Sequence, residues 1–158
     1  MITYKRKRKH NQNYPKTEHN YKDRLFRFVF QNKEDLLELY NALNHSEYRD
    51  PGELIVNTLE DVIYMGMKND ISFLIGGTLN LYEHQSTWNP NMPLRGFFYF
   101  ARIYENYVGS NHKDIYSSTL QALPFPRYFI FYNGVKEEPD RKELSLSDAF
   151  KGGRESLP

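Results

Sequence analysis

The chain has 158 residues, with 21 Lys and Arg against 20 Asp and Glu, a formal charge of +1, and no cysteine. Without Cys there is no disulfide-stapled scaffold, no Cys-based zinc finger and no thiol nucleophile. Leu, Ile, Val and Phe make up about a quarter of the chain, above the roughly 20% below which disorder is expected. The length predicts one domain with one ordinary core, and the longest apolar runs, Gly96 to Ala101 and Tyr128 to Tyr132, are far short of the roughly 20 residues that cross a bilayer. A soluble protein is expected.

The near-zero charge conceals an asymmetry. Residues 1 to 20 carry Lys5, Arg6, Lys7, Arg8, Lys9 and Lys16 against Glu18 alone, while the rest of the chain is net negative. A KRKRK block repels itself and has no apolar anchor, so residues 1 to 20 are expected to form a solvated, mobile arm that draws in polyanions through counterion release. Nucleic acid is the obvious polyanion, making Lys5, Arg6, Lys7, Arg8 and Lys9 the candidate DNA-binding residues; solubilising or targeting tails have the same composition. No apolar stretch follows the basic run, so no signal peptide is expected and the cytoplasm is the expected location.

Order is expected from Tyr21. Leu25, Phe28 and Val29 share a helical face with Asp23 near its start. A second helix begins after Asn32, an N-cap residue type, with Leu36, Leu37, Tyr40 and Leu43 at helical spacing until Asn44-His45-Ser46. Arg49 to Gly52 is a turn. From Glu53 to Met67 the β-prone residues predict strand. Asp70 to Ile75 and Thr78 to Gln85 make two strands of a hairpin closed by Gly76-Gly77, and alternation sets Leu79, Leu81, Glu83 and Gln85 on one face. Pro93 suits a helix start, and Leu94 to Val108 is predicted as a helix burying Leu94, Phe97, Phe98, Ala101, Tyr104 and Val108. Arg127 to Tyr132 is an apolar, central strand closed by Asn133-Gly134. Lys136 to Lys142 is a charged loop, and Leu144 to Phe150 a last weak element.

Phosphate-binding Gly-rich loops, paired histidines at ligand spacing and a nucleophile-elbow serine are all missing from the sequence, which leaves carboxylate chemistry. Asp70 opens one hairpin strand and Glu83 closes the other, so both belong to one end of the hairpin, with Gln85 two residues on. Two adjacent carboxylates suit Mg²⁺ or Mn²⁺, which keep waters and take phosphate oxygens as further ligands. The backbone carbonyl of His84 can complete that shell, whereas the His84 side chain should face away from Glu83. Acids at strand ends also serve solubility and edge protection.

The order helix, strand, strand with Asp70, strand with Glu83-His84-Gln85, helix, strand resembles the PD-(D/E)XK nuclease core. Tyr21 to Phe30, Asn69 to Phe73, Glu83 to Thr87, Asn89 to Arg95, Pro126 to Tyr128, Phe131 to Gly134 and Leu146 to Phe150 are similar to the recombination-promoting nuclease and putative transposase branch of that superfamily. The resemblance covers roughly residues 21 to 150. It implies an α/β, restriction-endonuclease-like core (α-β-β-β-α-β) with a central mixed sheet flanked by helices. It further implies a Mg²⁺-dependent DNA endonuclease, with Asp70 and Glu83 as metal ligands and Gln85 standing where most of the superfamily has Lys.

Gln can orient an attacking water but contributes no charge; Arg95, Arg102 or Lys68 can supply it. Asp23 matches an early helical Asp of the branch and is either a further member of the metal cluster or a helix-start acid, and Arg27 stands where Lys is frequent. Arg95 and Arg102 are candidates for phosphate contact or an ordinary solvated helix face, and Tyr99 and Tyr104 for base stacking or core. Members of the branch continue beyond the Leu-Ser-Asp-Ala-Phe stretch, whereas residues 151 to 158 form a polar tail, so a truncated C-terminus with an uncovered sheet edge is expected. Two further readings therefore stand beside the nuclease: an inactive nuclease-fold domain that binds DNA through its basic arm, and a protein-interaction domain or homo-oligomer.

Overall fold

A computed structural model describes residues 2–5, 32–57 and 70–150. It is mixed α/β: a six-stranded sheet in the order β2-β3-β4-β5-β1-β6, with one helix on each face. In chain order the elements are β1 (Ile2–Lys5), α1 (Lys33–Asn44), β2 (Ile55–Asn57), β3 (Asp70–Ile75), β4 (Thr78–Gln85), α2 (Met92–Ser110), β5 (Phe125–Tyr132) and β6 (Arg141–Glu143). β5 runs parallel to both β4 and β1, and the remaining pairs are antiparallel.

The hairpin β3–β4 forms as its sequence dictates. Gly76 and Gly77 sit at φ 54° and 75°, the positive dihedrals that a two-residue turn between strands requires and that glycine adopts without steric cost. α1 begins where its cap predicts: the Asn32 side chain accepts from the Glu34 N–H at 2.9 Å, and His45 ends the helix in the left-handed region. From this helix Leu36, Leu37 and Tyr40 pack on Phe73, Ile75, Tyr82 and Phe129. Edge-to-face ring contacts link Tyr40, Phe73, Tyr82 and Phe129 at centroid spacings of 6.0, 5.0 and 5.3 Å. Burying side chains of this size stabilises by roughly 1.5–3 kcal/mol each.

On the opposite face α2 packs on Leu81, Tyr128 and Ile130. Its buried residues are Met92, Gly96, Tyr99 and Ile103, not the expected stripe: Leu94, Phe97 and Phe98 are 39%, 53% and 51% exposed. The helix is apolar on more than one side, and close approach decides between them. A Cβ on Gly96 would lie 2.5 Å from the Tyr128 ring, so only the glycine-bearing face can come this near the sheet.

A second difference lies at the start of the chain. Ile2–Lys5, expected within a mobile arm, is a strand between β5 and β6. Ile, Thr and Tyr are strong strand formers, and two neighbouring strands offer this short run hydrogen-bond partners on both sides. The charged loop expected after Asn133 also contains a strand, β6, which pairs with β1. The helix expected over Tyr21 to Phe30 and the strand expected over Val62 to Met67 lie outside the described residues.

Candidate active site

β4 and β5 run side by side and end together, with Gln85 opposite Tyr132. Ligand sites in open α/β sheets form beyond such carboxyl ends. β3 starts at the same end of the strands, with Asp70 the register partner of Glu83.

Glu83 is 1% exposed and its carboxylate is held on three sides. Arg95 Nη2, from α2, lies 2.7 Å from Oε1. Gln85 donates from Nε2 to the same oxygen. The Tyr128 hydroxyl, from β5, donates to Oε2. Arg95 also reaches the Tyr99 hydroxyl at 3.3 Å and the Met92 sulfur at 3.7 Å. Gly96 lets α2 come down on Tyr128, so one close helix–strand contact sets both the tyrosine and the arginine around the acid.

Burial raises the Glu83 carboxyl above its usual value, against the lowering influence of Tyr128, Arg95 and Gln85. For Arg95 burial works downward, but the charge of Glu83 and the contact with Tyr99 outweigh it, holding the guanidinium above its ordinary value. An ion pair by itself would move its acid down and its base up. Here both move up because the acid is almost fully withdrawn from water while the base is 31% exposed.

Several predicted site residues thus fall at one place: Glu83, Gln85 and Arg95 are in direct contact, and Asp70 is at the facing register position. The His84 ring stands on the other face of β4, beside Phe131 in register, and is 8% exposed. Arg102 does not join the cluster; it pairs with Glu105 at 2.7 Å on an exposed stretch of α2. Tyr99 is core and holds Arg95, while Tyr104 donates to the Pro124 carbonyl at 2.5 Å. Lys5 is on β1, and Asp23, Arg27, Lys68, Arg6, Lys7, Arg8 and Lys9 lie outside the described residues.

Tyr128 was not singled out by its sequence, because a tyrosine in an apolar strand carries the signature of core. Its one available signal was alternation, which sets Tyr128 and Ile130 on a common face.

Gln85 also lines a shallow pocket with Thr87, Trp88, Asn89, Met92, Ile130, Tyr132 and Leu144, about 220 Å³ including space open to solvent. Among the described side chains no three His, Asp or Glu groups converge as a metal-binding set; that of Asp70 lies outside them. The donor chemistry is nevertheless that of a hard cation. Among the described residues Oε1 of Glu83 has two partners and Oε2 has Tyr128, and carboxylate oxygens are the donors that Mg²⁺ and Mn²⁺ take. No helix among the described residues is long and apolar enough to cross a membrane. Comparison with known protein families, characterised proteins and solved structures returned no match to this chain.

Proposed function

We propose that this chain is a Mg²⁺- or Mn²⁺-dependent DNA endonuclease with a restriction-endonuclease-like core, of the recombination-promoting, transposase-like kind. The observation that carries this reading is the register pairing of Asp70 with Glu83 where β3 begins and β4 ends, the end at which Gln85 stands. Directly opposite positions of an antiparallel pair have Cβ atoms about 4.5–5.5 Å apart, near enough for two carboxylates to share one ion.

Asp70 and Glu83 would hold the metal, with the His84 carbonyl as a further oxygen donor. When bound, such an ion supplies Lewis acidity toward a phosphoryl oxygen and lowers the pKa of water. Hydrolysis adds a water oxygen to phosphorus, breaks one P–O ester bond and passes the proton to the departing oxygen, leaving one phosphate end and one hydroxyl end. Gln85 orients the attacking water through its amide. Arg95, a fixed cation beside the acid, offsets negative charge that builds on phosphorus, the task of the absent Lys. Tyr128 and Gln85 keep the Glu83 carboxylate in one orientation.

The Arg95–Glu83 pair also favours a second reading, in which the carboxylate is neutralised by an arginine and the domain binds DNA without cutting it. Nicking of supercoiled plasmid in Mg²⁺ or Mn²⁺, with Asp70→Ala and EDTA as controls, separates the two. Cutting by the native chain that both controls abolish supports the nuclease. Folded native and Asp70→Ala proteins that bind DNA but are equally inert overturn it in favour of binding alone.

A further inference from the structure

Trp88, which lines the pocket beside Gln85, carries two lysines over its ring. Trp88, just past the end of β4, meets Tyr132 edge-on at 6.0 Å. Over its ring lie two ammonium groups, Lys142 Nζ at 4.5 Å and Lys136 Nζ at 5.4 Å from the centroid. Both are also tied to Glu138, at 2.6 Å from Lys136 and 3.3 Å from Lys142. An aromatic face and a shared carboxylate therefore hold two flexible cations in defined positions, while their side chains stay 60% and 40% exposed. Two ammoniums against one carboxylate leave one positive charge, the complement of one phosphodiester.

The sheet register aligns this cluster with the candidate active site. Glu83, Ile130, Thr3 and Lys142 occupy one transverse row across β4, β5, β1 and β6. Three strand spacings of roughly 4.8 Å separate its ends, about 14 Å, the axial rise of about four nucleotides of one DNA strand. Lys5 is the register partner of Tyr132.

We propose that Lys136 and Lys142, positioned by Trp88 and Glu138, form a cradle for backbone phosphates of DNA a few nucleotides from the bond presented to Glu83 and Gln85. This rests on the nuclease reading in its choice of DNA. The cradle binds charge rather than bases, since the lysines cover the Trp88 ring, and it contributes affinity without sequence preference.

The test is fluorescence anisotropy of a labelled DNA duplex with the full chain in EDTA, so that no cutting intervenes, over a series of salt concentrations. Lys136→Gln and Lys142→Gln are each expected to weaken binding about fivefold near 0.15 M salt and to reduce the salt slope by about 0.9, the loss of one phosphate contact. Arg141→Gln is the matched control: Arg141 adjoins Lys142 on β6 but alternates to the other face, where it pairs with Glu143, and it should bind within twofold of the native chain. Equal losses for Lys142→Gln and Arg141→Gln would mean that only overall charge matters and would overturn the cradle. Trp88 is the single tryptophan, so its emission should change and saturate as DNA is added; a flat response overturns the proposal. If the native chain binds and cuts while both lysine variants bind as it does, the cradle alone fails. If the native chain neither binds nor cuts DNA, the cradle and the nuclease reading fail together.

Discussion

Arg95 Nη2 stands 2.7 Å from Glu83 Oε1, joining the second helix to the fourth strand, yet burial still lifts the acid above its usual value. The native state therefore binds a proton at Glu83 more readily than the unfolded chain does. That contribution to stability is fully present below the ordinary carboxyl value of 4.5 and is lost as pH rises through the higher folded value. Glu83→Gln keeps the shape and the acceptor oxygen while removing the titration. The stability of the native chain relative to Glu83→Gln should accordingly fall as the pH rises above 4.5 and through the higher folded value. Denaturant midpoints of the two proteins across that range check it, and a difference that grows with pH would show that Arg95, not burial, dominates the site. In the plasmid assay the same substitution should cost more than the roughly 10- to 100-fold typical of removing an outer-shell partner of a metal site.

Tyr128→Phe removes only a hydroxyl, but that hydroxyl donates to the buried Oε2 of Glu83. Hydrogen bonds to charged groups contribute about 1.5–3 kcal/mol, and leaving a buried acceptor unmet adds to the loss. We expect destabilisation of that order at pH 8 and a smaller effect at pH 4.5, where more of the acid is protonated. Urea unfolding at both pH values reads this directly; equal losses would place the Tyr128 contribution in packing rather than in its bond to Glu83.

The hairpin was legible in the sequence because two independent signals agree: Gly76-Gly77 takes the positive dihedrals of a two-residue turn without steric cost, and period-two alternation on both sides fixes which residues face each other. The juxtaposition of Asp70 and Glu83 follows from those signals alone. Asn32 was equally plain, since a cap acts over two residues. The buried face of the second helix was not legible. Leu94, Phe97 and Phe98 are more apolar than Met92, Gly96 and Tyr99, and hydrophobicity counts alone select the wrong side; the choice is made by Gly96 meeting Tyr128, a contact between residues 32 positions apart. The first strand was hidden by its neighbourhood, three strand-forming residues running into a basic block, with partners far along the chain.

The face of the second helix gives a direct contrast. Ile103 is 5% exposed, while Phe97 is 53% exposed. Ile103→Ala should cost about 2–5 kcal/mol, the range for an aliphatic residue cut back in a core. Phe97→Ser should stay within about 1 kcal/mol, since substitutions on exposed positions seldom exceed roughly half a kcal/mol and this one also loses an edge contact with Phe98. Thermal and chemical unfolding of both variants tests the assignment, and a larger loss for Phe97→Ser would reverse it.

Gly96→Ala sets two effects against each other. Alanine is the better helix former by about 1 kcal/mol, so on propensity alone the variant gains. The new methyl, however, would lie 2.5 and 2.6 Å from two atoms of the Tyr128 ring, and that ring is 8% exposed with its hydroxyl tied to Glu83. Overpacking of a tight core costs about 1–3 kcal/mol, which exceeds the helical gain, so the variant should be destabilised. The displacement also has a chemical consequence. Either the helix lifts, carrying Arg95 from Glu83, or the ring turns, withdrawing its hydroxyl, and in both cases the acid loses a partner that lowers its pKa. The pH at which Glu83 titrates, read as the pH dependence of stability against Glu83→Gln, should therefore move upward in Gly96→Ala. A variant more stable than the native chain, with the titration unmoved, would mean that the helix does not depend on glycine to reach the sheet.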